Sequence, residues 1–204
     1  MAIMILDPSL EKRVRTEYER DSPDRPTEVW EGMTVVAPLP NTDHFQLVFD
    51  LTAAFATVID RSRGDRALPG GNVSDRDAGW AHNYRNPDVM VVLAGGRAVD
   101  HDTHWTGGPD LVVEIISPGE DPHAKFGFYA GIGTREVLVV DRDPWALELY
   151  QLRAGQLAPA GRSDGPNPAT FASSVLPLSF RLEAAAPRPR IVMTHTGTGQ
   201  VWTA

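Results

Sequence analysis

The sequence predicts an α/β protein with a mixed β-sheet. Three apolar runs without alternation, at 87–93, 109–117 and 135–141, are typical of strands that are covered on both faces. Residues 41–61 carry apolar side chains at helical spacing. Strands and helices that follow one another in this way are the order expected of an α/β core.

The composition is that of a globular protein from a reducing compartment. Of the 204 residues, 42% are hydrophobic and 23% are charged, and none is cysteine, which excludes disulfides and thiolate metal sites. The apolar stretch at the start is too short for a secretory signal, and no segment approaches the roughly 20 apolar residues of a membrane helix. We therefore expect a cytoplasmic protein with a single domain over 1–204.

The charge balance is acidic, with a net charge of −8. It argues against a protein that holds nucleic acid mainly through a basic surface. Local basic groups near the start of the chain and at 61–66 are more typical of solvated faces.

The first third of the chain predicts a helix, a strand pair and a second helix. Residues 8–21 are typical of a short charged helix. Segment 27–38 has two short runs on either side of Glu31–Gly32, which favours two strands joined by a tight turn. Helix 41–61 follows. Three consecutive polar residues can cap its start: Asn41, Thr42 and Asp43.

The remaining elements complete the sheet. Residues 63–86 and the polar stretch 94–108 predict mostly loop. Asp121–Pro122 is a typical helix start, and this helix is expected to run to about Gly131. Further strands are expected at 145–152, where alternation indicates one solvated face, and in short runs of the Pro/Ala/Gly-rich tail.

Glu114 stands in the middle of an apolar run, PDLVVEIIS. An ionised carboxylate in a dry strand costs several kcal/mol unless it is paired. Because side chains alternate along a strand, Asp110 and Glu114 share one face. Asp88 begins the neighbouring run and meets Glu114 if the two strands pair. Asp at the start of a strand is also a common turn residue, so the sequence leaves the roles of Asp88 and Asp110 open.

Two outcomes are open for these carboxylates. Carboxylates forced together out of water repel each other unless a cation lies between them. Hard oxygen ligands suit an ion of the magnesium type, which can activate a water and screen charge on a phosphate. Alternatively, Glu114 pairs with an arginine, either Arg85 or Arg135.

Lys125 lies four residues after Asp121 and four before Tyr129, so the three share a face of the expected helix. This spacing allows a simple salt bridge between Asp121 and Lys125. It also allows an ammonium group close to a water that attacks a phosphate.

The order of these motifs resembles a known family. Five pieces carry the resemblance: RNPDVMVV, PDLVVEIISPG, Asp121 with Lys125 and Tyr129, Gly131 with Gly133, and REVLVVD. Together they are similar to the bacterial Uma family, which is classed with restriction endonucleases in the PD-(D/E)XK nuclease superfamily. TEVWEG resembles the family's Tyr-Glu-Leu-x-Asp-Gly turn, and His44 matches a histidine that opens its first long helix. The resemblance covers a nuclease-like core at about 26–150, between an N-terminal helix and a C-terminal β-rich extension.

The resemblance implies a restriction-endonuclease-like fold, a mixed β-sheet flanked by helices, with a metal site where two strands diverge. In that case Asp88 is the Asp of the PD element and Glu114 is the acidic residue of the (D/E)XK element. Both would hold Mg²⁺, which Mn²⁺ can replace, with the Ile115 carbonyl as a further ligand. Glu28 matches an early glutamate of the family and adds a carboxylate.

Two positions depart from the family pattern. The lysine expected two residues after Glu114 is Ile116 here, and Lys125 is its natural substitute. Val137–Leu138 stands where the family usually has Tyr-Trp. Asp110 is either a carboxylate that supports the metal ligands or a strand cap.

We therefore predict a metal-dependent endonuclease that hydrolyses DNA phosphodiester bonds, with Asp88, Glu114 and Lys125 as catalytic residues. Five further residues are candidates for the site: Glu28, His44, Asp110, Asp121 and Tyr129. DNA is the expected partner, and a homodimer is compatible with this function. The departures leave a second interpretation open, an inactive nuclease fold that binds a protein or nucleic-acid partner.

His101, Asp102 and His104 suggest a different kind of site, because two histidines and a carboxylate can hold zinc or iron. They lie in a Gly-rich stretch with no rigid element to fix ligand geometry, so a surface loop is favoured. The glycines of ALPGGN and LAGG do not fit a phosphate-binding loop, which argues against nucleotide binding.

Overall fold

The computed structural model describes residues 3–4, 9, 27–36, 40–116 and 121–204. Apart from Ser9, the predicted helix at 8–21 lies outside these residues. The described strands are β1 (Ile3–Met4), β2 (Thr27–Trp30), β3 (Met33–Val36), β4 (Arg66–Leu68), β5 (Val73–Ser74), β6 (Tyr84–Arg85), β7 (Val89–Val92), β8 (Val99–Asp100), β9 (Trp105–Thr106), β10 (Leu111–Ile116), β11 (Glu136–Arg142), β12 (Trp145–Arg153), β13 (Gln156–Asp164), β14 (Phe171–Ala172), β15 (Leu178–Glu183), β16 (Arg190–His195) and β17 (Val201–Thr203). The described helices are α1 (Thr42–Val58) and α2 (Phe126–Ile132), with 3-10 turns at Arg61–Arg63, Trp80–His82 and Pro122–Lys125.

A six-stranded sheet in the order β13-β12-β11-β10-β7-β4 forms the centre of the fold. β10 and β11 are parallel, and the other neighbours are antiparallel, so the predicted mixed α/β sheet is confirmed. All six residues of β10 are buried, as its unbroken apolar run predicts. α2 and the turn before it lie in the crossover that joins the parallel pair.

α1 begins where the sequence predicts and ends three residues earlier, at Val58. The side chain of Asn41 caps it by accepting a hydrogen bond from the His44 N–H. Leu47 and Phe55 of α1 lie in the same core cluster as residues of β10. Within the described residues, no helix combines the length and apolarity needed to cross a bilayer.

The predicted helix from Asp121 is divided into two parts. The Asp121 carboxylate accepts a hydrogen bond from the His123 N–H at 2.9 Å, as expected of a cap. Pro122–Lys125 then forms a 3-10 turn before α2 begins, and Gly133, whose φ of 85° suits glycine, caps the end of α2. Residues four apart do not lie above one another in a 3-10 turn, so Asp121 and Lys125 do not share a face.

A second, seven-stranded sheet has the order β1-β3-β2-β6-β5-β9-β8. The predicted hairpin β2–β3 turns at Glu31 and Gly32, which have φ of 47° and 83°, as a type I′ turn requires. Segments 63–86 and 94–108, expected to be mostly loop, contain β4, β5, β6, β8 and β9. Strands of two or three residues carry no hydrophobic period, so the sequence does not reveal them.

The C-terminal segment forms a four-stranded antiparallel sheet, β14-β15-β16-β17. Alternate residues of β15 face inward, and Phe180 lies in the core cluster of α1. Glu136, fully buried at the start of β11, fastens the loop before β15. Its carboxylate accepts hydrogen bonds from the Ser174 N–H and Oγ at 2.7 Å each, from Ser173 Oγ, and from Gln151 Nε2 at 3.0 Å.

The two faces of the central sheet carry separate cores. Ile115 belongs to the cluster on the α1 side. Val112, Ile116 and Tyr129 of α2 belong to the cluster on the opposite side. Because side chains alternate along β10, Glu114 points to the α2 side, between Val112 and Ile116.

Candidate active site

Asp88 and Glu114 lie where β7 and β10 diverge. Regular pairing of the two strands ends at Val89 and Val113, and Asp88 and Glu114 come next in the same register. The Asp88 N–H still donates to the Val113 carbonyl at 3.1 Å, while Asp88 Oδ2 accepts from the Ile115 N–H at 2.6 Å. The N–H and C=O of a residue point to the same side of an extended strand, so the Ile115 carbonyl also faces this gap.

Lys125 joins two buried glutamates. Its Nζ lies 2.8 Å from Glu114 Oε2 and 2.8 Å from Glu28 Oε1. The two carboxylate side chains are only 7% and 10% exposed, and one ammonium offsets part of the cost of burying both. Neither Arg85 nor Arg135 forms an ion pair with Glu114: Arg135 pairs with a different carboxylate, and Arg85 stacks on aromatic rings.

Each glutamate has further donors. The Tyr129 hydroxyl donates to Glu114 Oε1. Glu28 accepts from Trp30 Nε1 at 2.7 Å and from the Asn86 N–H at 2.9 Å. Sequence reasoning missed Trp30, although it lies two residues from Glu28 on the same strand, a spacing that places both side chains on one face.

His44 holds Asp88 from the first turn of α1. His44 Nε2 lies 2.9 Å from Asp88 Oδ1, so each oxygen of this carboxylate has a partner. His44 Nδ1 is buried and has no hydrogen-bond partner among the described residues. The cap of α1 therefore helps to fix the orientation of Asp88.

The electrostatics of the cluster favour a bound cation. Burial raises the pKa of Glu114 to about 7; Lys125 opposes the rise, and the charges of Asp88 and Glu28 add to it. Burial disfavours the Lys125 ammonium, but Glu114 and Glu28 outweigh this effect and raise the pKa of Lys125. Lys125 is therefore protonated at neutral pH, while the surrounding carboxylates still repel one another.

The donor set fits a hard divalent ion. Asp88 and Glu114 lie opposite each other at the point where the strands diverge, and the Ile115 carbonyl faces the same gap. Oxygen ligands of this kind are those that Mg²⁺ prefers. Burial is the main cause of the raised pKa of Glu114, and a divalent cation would offset the charges of Asp88 and Glu28 that add to it.

Two candidate carboxylates make their contacts elsewhere. Asp110 accepts from the Leu93 N–H at 2.8 Å and pairs with Arg135 at 3.1 Å, which links neighbouring strands. Asp121 caps the 3-10 turn. The salt bridge between Asp121 and Lys125 that the spacing allowed does not form, because Lys125 turns to the glutamates.

A family model and a solved structure match the chain. A family model described as "Uma2: Putative restriction endonuclease" matches residues 14–185. Among solved structures, the chain is similar to one described as "a putative nuclease belonging to DUF820" from Anabaena variabilis ATCC 29413. The two are 18% identical with a TM-score of 0.56, over 72% of this chain and 80% of the other, which shows a shared fold. No curated protein matches the chain.

Proposed function

Because the chain belongs to the Uma2 family, we propose that it is a metal-dependent endonuclease of the PD-(D/E)XK type that hydrolyses DNA phosphodiester bonds. One observation carries the proposal: the Lys125 ammonium lies 2.8 Å from Glu114, beside Asp88, where two strands diverge. Burying such a cluster is costly. Titratable groups with a strongly shifted pKa are typical of functional sites.

Asp88, Glu114 and the Ile115 carbonyl would hold the ion, Mg²⁺ or Mn²⁺. When bound, it would supply positive charge at the phosphate and make a nearby water more acidic. Each carboxylate oxygen can accept more than one contact. Asp88 can therefore keep its hydrogen bonds to Ile115 and His44 while it acts as a ligand.

Lys125 acts through its charge rather than as a base. Its raised pKa keeps it protonated, so it does not accept a proton from water at neutral pH. Its ammonium can donate a hydrogen bond to the attacking water or to a phosphate oxygen and stabilise the negative charge that develops there. The side chain is 22% exposed, which leaves it open to a substrate.

Glu28, Tyr129 and His44 are positioning residues in this proposal. Glu28 holds Lys125 from the second sheet. Tyr129 and His44 each hold one oxygen of a proposed metal ligand. Reacting groups need to be fixed to within a fraction of an ångström, so such contacts affect rate as well as stability.

A second function is favoured by one observation. Ile116, at the position where the superfamily carries its lysine, is 9% exposed and packs in the core cluster on the α2 side. If Lys125 serves only to neutralise Glu28 and Glu114, the chain is an inactive nuclease fold that binds a protein or nucleic-acid partner.

Cleavage of supercoiled plasmid DNA, with Mg²⁺ or with EDTA, distinguishes the two functions. We expect Mg²⁺-dependent nicking by wild type and a loss of at least about 100-fold in rate for Glu114→Gln and Lys125→Ala. Glu183→Gln is the matched control, since it makes the same change in a half-exposed residue of β15. It should cleave as wild type does.

Each result decides between the functions. A wild-type rate in Glu114→Gln contradicts the assigned site. A folded wild-type protein that cleaves neither DNA nor RNA with Mg²⁺ or Mn²⁺ supports the binding module instead.

A further inference from the structure

A second cluster of polar side chains joins two loops of the seven-stranded sheet. Asp77 follows β5, and His101 and His104 lie between β8 and β9. Asp77 Oδ1 is 3.5 Å from His101 Nδ1 and 3.4 Å from His104 Nε2. One donor atom from each residue lies within 4.8 Å of the other two. Asp102, the carboxylate that the sequence suggested for these histidines, is not part of this group.

His104 is the part of the cluster that needs an explanation. It is 4% exposed, and its ring is stacked between Trp80 and His101, with centroids 4.8 Å away on each side. Its Nδ1 lies 3.1 Å from Thr103 Oγ1. Its Nε2, directed at Asp77, is buried and makes no hydrogen bond among the described residues.

A buried nitrogen without a hydrogen bond costs about 1–3 kcal/mol, so few are kept without a use. If Nδ1 carries the proton and donates it to Thr103 Oγ1, Nε2 presents a free lone pair, which is the state of a metal ligand.

We propose that Asp77, His101 and His104 bind a divalent transition metal ion of the zinc class. Ligand atoms about 2.0–2.1 Å from a tetrahedral ion are about 3.3 Å apart. The two distances from Asp77 Oδ1, 3.4 and 3.5 Å, are close to that value. Two imidazole nitrogens and one carboxylate oxygen suit Zn²⁺, whereas the all-oxygen cluster around Glu114 suits Mg²⁺.

Binding requires one rearrangement. The rings of His101 and His104 are 10° from parallel, and one ion cannot lie in the planes of two stacked rings. His101, whose side chain is 27% exposed, has to rotate out of the stack, while buried His104 stays. The bound ion would then join the loop after β5 to the β8–β9 hairpin, and it would stabilise the fold by mass action.

Equilibrium dialysis of tag-free protein against Zn²⁺, with Mg²⁺ in excess, tests the proposal. We expect wild type to bind one Zn²⁺ per chain and to melt at a higher temperature with Zn²⁺ than without. Asp77→Asn and His101→Ala should weaken Zn²⁺ binding at least about tenfold. Losing a residue that only supports a ligand already lowers metal affinity about tenfold, and losing a ligand lowers it further. Both residues are partly or largely exposed, so neither change should prevent folding.

Asp102→Asn is the matched control. It makes the same charge change as Asp77→Asn, in the loop that carries His101 and His104, and Asn tolerates the φ of 70° at this position. It should bind Zn²⁺ as wild type does, and so should Glu114→Gln. No Zn²⁺ binding by wild type overturns the proposal. Equal binding by Asp77→Asn and His101→Ala, or weakened binding by Asp102→Asn, overturns the assigned ligands.

Discussion

Replacing Glu114 by Gln tests whether this buried carboxylate costs the metal-free protein stability. Burial raises the pKa of Glu114 from 4.5 to about 7, against the opposing charge of Lys125. Between these values the folded chain keeps a proton that the unfolded chain has lost. The free energy of unfolding therefore falls as the pH rises through this window.

The size of the effect follows from the difference between the two pKa values. One pKa unit corresponds to about 1.4 kcal/mol, so ionisation of Glu114 above pH 7 costs the folded chain on the order of 3 kcal/mol. Gln keeps the shape of the side chain and has no proton to lose. Lys125 keeps Glu28 as its partner, and its own raised pKa keeps its charge constant across this window.

Urea unfolding in EDTA, followed by tryptophan fluorescence at about pH 5 and about pH 8, measures the effect. We expect Glu114→Gln and wild type to have similar free energies of unfolding at the lower pH. At the higher pH the variant should be more stable, by up to about 3 kcal/mol, and Glu183→Gln should follow wild type throughout. The reasoning is refuted if Glu114→Gln follows the wild-type pH dependence or is the less stable protein at the higher pH.

Three further tests use other substitutions. Lys125→Ala should abolish Mg²⁺-dependent plasmid cleavage. Adding Ile116→Lys to that variant should restore part of the cleavage, because position 116 shares a strand face with Glu114. No recovery would contradict the idea that a lysine at 116 can replace Lys125. Tyr129→Phe removes a hydrogen-bond donor from Glu114, so Mg²⁺ affinity at neutral pH should fall about tenfold. The pH at which Mg²⁺ binding is half-maximal should rise, and calorimetry that finds the wild-type value for this pH would argue against the role of Tyr129. Glu136→Ala removes a fully buried carboxylate that accepts hydrogen bonds from Gln151 and Ser174. It should cost about 2 kcal/mol in urea unfolding, with cleavage per folded molecule unchanged; an equally stable variant would be inconsistent with the structure.

The sequence predicted the elements whose hydrophobic pattern is long enough to read. β7, β10 and β11 are continuous apolar runs, and α1 combines a helical period with a polar cap, so all four are found close to their expected places. The strands of two or three residues within 63–86 and 94–108 could not be predicted, because their pairing is set by tertiary contacts rather than by a local period.

The candidate site was predictable where it depends on neighbouring strands. Asp88 and Glu114 were expected to meet if their strands pair, and β7 and β10 do pair. The bridge from Lys125 to Glu28 was not expected from spacing, since Glu28 belongs to another sheet. The second helix is divided, and this division separates Lys125 from Asp121. The sequence does not predict it, because the pattern after Asp121 is typical of one continuous capped helix.

The cluster draws its residues from two sheets, so its charge balance depends on the packing of one sheet against the other. Glu28 enters on a hairpin made early in the chain, while Lys125 follows about 100 residues later. The six-stranded central sheet alone would place Asp88 opposite Glu114 but would leave Lys125 without Glu28, its second carboxylate. Under the proposed function, a chain whose two sheets are not packed together would hold Lys125 incompletely and should cleave DNA more slowly than the folded protein.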